Sequence, residues 1–109
     1  MSKFELATKL HDSLCPKCNG WCFVGGFCSF THIPSEKDWE TNSANFYFLQ
    51  LAEKATKIME EVNISVDEFI AYAQNFPDNI PENVMKSMER NNFPRWLSSN
   101  FKVRKSSLN

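Results

Sequence analysis

Apolar positions along this chain recur three and four residues apart, the spacing of one helix face. Phe48, Leu51, Ala52, Ala55, Ile58, Met59 and Val62 form the longest such stripe, with Glu53, Lys54, Lys57, Glu60 and Glu61 on the opposite side. This pattern predicts a helix within residues 35–62. Ser35 with Asp38 three later marks its start or a short helix before it, and Asn42-Ser43 marks a break between two pieces. Ser65 and Glu68 form a capping box, and Ile64 and Phe69 are spaced as a hydrophobic staple, so a second helix opens there. It runs through Phe69, Ile70, Tyr72 and Ala73 and stops before Pro77. Pro81 suits the first turn of a third helix carrying Val84, Met85 and Met88, which ends near Asn91-Asn92. Pro94 opens a last short helix with Trp96, Leu97 and Phe101. At the N-terminus, Ser2 and Glu5 repeat the capping box, and Phe4, Ala7, Leu10 or His11, and Leu14 predict a helix over residues 2–14.

Residues 15–34 break this rhythm. They contain all four cysteines and all three glycines, and neither helical nor alternating periodicity. Strand residues, if present, are Phe23-Val24 and Phe27. The expected fold is therefore mainly α: a small bundle of three to five helices with a zinc-stapled, cysteine-rich module near the N-terminus. One domain spans 1–109, divided into a zinc-binding module at 15–34, a helical body at 35–101 and a frayed basic tail at 102–109. The composition, 42% hydrophobic and 23% charged, is that of a globular chain and excludes disorder over most of it. At 109 residues there is no room for separate cofactor and substrate domains. The first residues mix charges and lack the apolar core of a secretory leader. No apolar run is long enough to span a bilayer. The chain is thus expected in an intracellular, reducing compartment, cytoplasmic or nuclear, where thiols stay reduced or bind metal.

The informative stretch is Cys15-Pro-Lys-Cys18-Asn-Gly-Trp-Cys22-Phe-Val-Gly-Gly-Phe-Cys28-Ser-Phe-Thr-His32. Four thiolates this close repel one another unless a cation neutralises them, and zinc takes four sulfur or nitrogen donors at tetrahedral positions. Two ligand sets are open. Cys15, Cys18, Cys22 and Cys28 have the outer span of a retroviral-type zinc knuckle, with the third ligand one residue early and Cys in place of His. Cys15, Cys22, Cys28 and His32 have the spacing Cys-x6-Cys-x5-Cys-x3-His. With Gly25 midway between two cysteines and Phe30 two before His32, this second pattern resembles the CCCH-type zinc finger over about 18 of the 109 residues. Disulfide pairing is a further reading, as is a redox dithiol at Cys15-Pro-Lys-Cys18, although the strand-then-helix setting of that motif is missing. Five candidate ligands suffice to close the site, which implies a structural ion rather than a catalytic one. Its role would be to order a segment that lacks its own core. His11, on the first helix, is a further ligand candidate, although a single histidine reads first as an ordinary polar surface or core residue.

Charge is uneven. Residues 86–109 hold six of the twelve basic groups and one of the thirteen acidic ones. Arg95, Lys102 and Arg104 flank Trp96 and Phe101 there, which is a pattern for phosphate contact and base stacking or simply a solvated end. The finger carries Trp21, Phe23, Phe27 and Phe30, but its only charged residue is Lys17. In CCCH fingers that bind RNA such rings stack on unpaired bases. The lack of cations here instead favours docking onto another protein, as aromatic anchors do. No Ser-His-Asp arrangement, phosphate-binding glycine loop or paired-carboxylate motif is present. The expectation is a non-catalytic zinc protein acting as regulator or adaptor on a macromolecular partner, a protein first, with no small-molecule substrate and no membrane. Single-stranded nucleic-acid binding and thiol-disulfide exchange are the alternatives.

Overall fold

In the computed structural model, Ser2 and Glu5 close a reciprocal capping box that starts α1, Lys3–Leu14. The model describes residues 2–15, 21–23, 28–31 and 35–103, with 21–23 and 102–103 described through their backbone alone. Five further helices follow: α2 Asp38–Thr41, α3 Ser43–Val62, α4 Val66–Asn75, α5 Glu82–Arg90 and α6 Phe93–Asn100. Two three-residue strands, β1 Trp21–Phe23 and β2 Phe101–Val103, complete the described elements.

The protein is a small, mainly α-helical bundle, and its described residues form six helices where three to five were expected. The extra one is α2, which Asn42 separates from α3. The Asn42 backbone is extended, and its side-chain oxygen accepts from the Ala44 and Asn45 N–H groups. A residue committed to capping the next helix cannot continue the previous one. Ser65 and Glu68 cap α4 as the sequence predicts. Asn63, in the left-handed conformation, ends α3. Pro81 precedes α5 as its N-cap rather than lying in its first turn, and Pro94 sits in the first turn of α6.

Helix α3 is the hub. Its buried stripe of Phe48, Leu51, Ala52, Ala55 and Ile58 packs against α1, α2, α4 and α5. Ala52 and Ala55, both fully buried, let neighbouring backbones approach closely. Leu6, Ala7, Leu10 and Leu14 of α1 face this stripe, and Phe69, Val84, Met88, Phe93 and Leu97 fill the far side of the same core. Burying each large apolar side chain contributes about 1.5–3 kcal/mol, which makes this shared core the main support of the helical body.

The chain beyond Phe101 departs from the expected frayed tail. Residues 101–103 pair antiparallel with β1, in the register Trp21↔Val103, Cys22↔Lys102 and Phe23↔Phe101. The pairing is anchored by Phe101, which is 2% exposed and packs on Phe48, Tyr47 and Trp96. The sequence pattern predicts Phe101 as part of the last helix. It is extended instead, because its ring fills the core while its backbone joins a ladder. Val24, Phe27 and the tail 104–109 lie outside the described residues.

Candidate metal centre

His11 and Cys15 are four residues apart and therefore share one face at the end of α1. Cys15 is the C-cap, its N–H bonded to the His11 carbonyl at 2.7 Å. Both residues are buried, at 5% and 1% exposure. Across from them stands Cys28, half-buried in the segment that leads to α3. One ligand atom from each of His11, Cys15 and Cys28 lies within 4.8 Å of the other two. The Nε2 of His11 is 3.5 Å from the Cys28 sulfur.

Three devices hold this geometry. The Asp12 carboxylate accepts from His11 Nδ1 at 3.0 Å, which directs Nε2 toward the sulfurs. The Phe30 ring stacks on the imidazole at 4.0 Å and 8°, while Phe48 meets both rings edge-on. Finally, fully buried Asn45 clamps the loop: its Oδ1 accepts from the Thr31 N–H at 3.1 Å and its Nδ2 donates to the Thr31 carbonyl at 3.0 Å. Asn42 adds a bond to the Ser29 carbonyl at 2.9 Å. Residues 28–31 are thus tied to the start of α3, although they have no regular structure.

The electrostatics favour a charged pair. The Cys15 thiol donates to Cys28 and, against the cost of burial, His11 and the Phe30 N–H add to this, drawing the Cys28 pKa down from 9.0 to about 4. For His11, burial opposes the imidazolium, but the Cys28 sulfur and the Asp12 carboxylate outweigh it and raise the ring above 6.5. A borderline-soft cation binds a thiolate directly and displaces the proton from an oriented imidazole nitrogen. The spacing also suits zinc. Bonds of about 2.3 Å to sulfur and 2.0 Å to nitrogen at a tetrahedral angle set the two donors about 3.5 Å apart.

Of the expected ligands, Cys15 and Cys28 come together here. The histidine beside them is His11, which neither predicted set contains. The signal for it was its i, i+4 spacing to Cys15 and its place in the apolar stripe of α1. Cys22 is described only through its backbone on β1, and Cys18 and His32 lie outside the described residues.

Of the residues expected at a partner surface, Trp21, Phe23, Phe30, Arg95, Trp96 and Lys102 fall within the described residues. Phe30 packs inward on His11, Phe48 and Trp39. Trp21 and Phe23 lie on β1 and Lys102 on β2, while Phe27 and Arg104 lie outside the described residues. Arg95 is exposed on α6. Its neighbour Trp96 is half-buried, donates from Nε1 to Gln50 at 3.2 Å and lies under the Lys54 ammonium. Trp96, Lys54 and Lys57 line a groove of about 230 Å³. Trp96, Phe101, Phe48 and His11 form a continuous chain of ring contacts from α6 to the metal centre. No described helix is long and apolar enough to cross a membrane. Comparison with protein-family models, with curated proteins and with solved structures gave no match.

Proposed function

We propose that this is an intracellular, non-catalytic zinc-binding protein in which His11, Cys15, Cys28 and one further donor hold a structural ion, and that it acts as a regulator or adaptor by binding another protein. The observation that carries the metal is the convergence of three donor atoms within 4.8 Å, two of them on buried residues. The fourth donor is Cys18, Cys22 or His32. Any of them closes the coordination sphere, which leaves no position for a reacting water and makes the ion a staple. What it staples is the end of α1 to the segment that carries Cys28. Binding to a protein is supported by the scarcity of cations in the finger and by Phe4 and Phe46, large rings that remain 44% and 40% exposed.

A second reading, contact with single-stranded nucleic acid, draws on the groove lined by Lys54, Lys57 and Trp96, with Arg95 beside it. The cation-poor finger weighs against it.

The test is metal analysis of the reduced protein. Native mass spectrometry should show one zinc ion per chain, lost on denaturation. The cobalt form should have an intense visible spectrum indifferent to added azide. A metal-free chain overturns the proposal, and a spectrum that shifts with azide overturns the closed, non-catalytic site.

A further inference from the structure

The metal centre contains two thiols of unequal access. Cys15 is 1% exposed at the end of α1, whereas Cys28 is only half-buried. They belong to one hydrogen-bonded group: the Cys15 thiol donates to Cys28, and the Cys28 sulfur also meets His11 Nε2 at 3.5 Å. Both are present as thiols, and their sulfurs are at most 4.8 Å apart. A disulfide needs about 2.0 Å, so a shift of under about 3 Å by the Cys28 loop joins them. A reactive, accessible sulfur with a shielded partner behind it is the arrangement of a redox sensor.

We propose that Cys28 and Cys15 form a peroxide-sensitive dithiol, Cys28 being the sulfur attacked and Cys15 the resolving one, and that their disulfide ejects the metal. The last clause rests on the zinc reading; the dithiol does not. In the first step the Cys28 sulfur attacks one oxygen of a hydroperoxide and the O–O bond breaks. Cys28 becomes a sulfenic acid, and the departing oxygen leaves as water or an alcohol after taking the Cys28 proton or, in the metal-loaded form, a solvent proton. In the second step the Cys15 sulfur attacks the Cys28 sulfur, the S–O bond breaks, and hydroxide leaves as water with the Cys15 proton or, in the loaded form, a solvent proton. Each sulfur is oxidised by one electron and the peroxide is reduced by two. The disulfide takes two of the four donors from the ion, too many for it to stay.

The experiment uses the full chain, once metal-loaded and once prepared metal-free under reduction, each titrated with hydrogen peroxide. Peptide mapping after alkylation should find a Cys15–Cys28 cross-link in both forms. In the loaded form a chromogenic chelator should register one ion released per cross-link. In Cys15→Ser the cross-link should vanish and a dimedone-reactive sulfenic acid should accumulate on Cys28. Peroxide that pairs Cys18 with Cys22 while Cys15 and Cys28 stay alkylatable overturns the proposal. So does dimedone labelling on Cys15 instead of Cys28. A chain that takes up no zinc when it is offered, yet forms the cross-link, sinks the zinc reading and leaves the dithiol standing. A metal-bound chain that keeps its ion after the cross-link forms sinks the release alone.

Discussion

The Nε2 of His11 and the Sγ of Cys28 lie 3.5 Å apart although seventeen residues separate them in sequence. One sits on a capped helix and the other in a loop held by asparagine side chains. Their approach is a product of tertiary packing, and it turns a scattered set of cysteines into a candidate metal centre.

Replacing His11 tests that relationship. His11→Ala should remove a zinc donor and lower metal occupancy in the purified protein, read by elemental analysis, while far-ultraviolet circular dichroism keeps its helical signal. Full occupancy in that variant would return the ligand set to the four cysteines or to His32.

Asp12→Asn leaves every proposed ligand in place but weakens the acceptor that orients the imidazole. Loss of such an outer partner lowers metal affinity by about 10–100-fold. Competition against a chelator of known affinity measures it, and an unchanged constant would show that Asp12 does not orient the ring.

Asn45 is buried with both ends of its amide satisfied by Thr31. Asn45→Ala strips two bonds and leaves buried backbone groups without partners, a cost of about 1–3 kcal/mol. Chemical denaturation should show this loss, and hydrogen exchange should rise at residues 28–31 more than in α5. Uniform exchange across the chain would place the effect elsewhere.

Phe48 touches His11, Phe30 and Phe101 and is fully buried. Phe48→Ala should destabilise the fold by about 3–5 kcal/mol, the range for emptying a buried aromatic site. Metal removal should act differently, loosening the Cys28 segment and the β1–β2 pair while the helical signal persists.

Glu61 provides a pH dependence. The Ser87 hydroxyl first, and then the Arg90 guanidinium at 2.8 Å, hold its carboxyl below the ordinary 4.5. A carboxyl lowered in the folded state contributes stability that is fully present above its unfolded value. That stability is lost as pH falls through the lower folded value. The urea midpoint of the native chain should therefore drop more steeply on acidification below about 4.5 than that of Glu61→Gln. Parallel curves would show that Glu61 makes no such contribution.

The helices were legible because their signals are local. Ser2 with Glu5 and Ser65 with Glu68 need only four residues to declare a helix start, and the α3 stripe from Phe48 to Val62 repeats over about four turns. Asn42 was visible as a break, but whether a helix preceded it depended on packing around Trp39. Phe101 illustrates the limit: its spacing after Leu97 continues a helical pattern, yet a partner strand from the cysteine segment held it extended.

Composition and spacing alone pointed to residues 15–32 as a metal module and to Cys15, Cys22 and Cys28 as shared by both ligand sets. That inference needs only the repulsion of clustered thiolates and the short loop between them. That His11 joins Cys15 and Cys28 belonged to the tertiary structure. It reaches Cys28 because α1 packs on α3 and Asn45 holds residues 28–31. Local chemistry determined which elements form and which residues can bind a cation. Long-range packing decided which of those residues meet, because bringing distant donors together costs chain entropy that only the shared core repays.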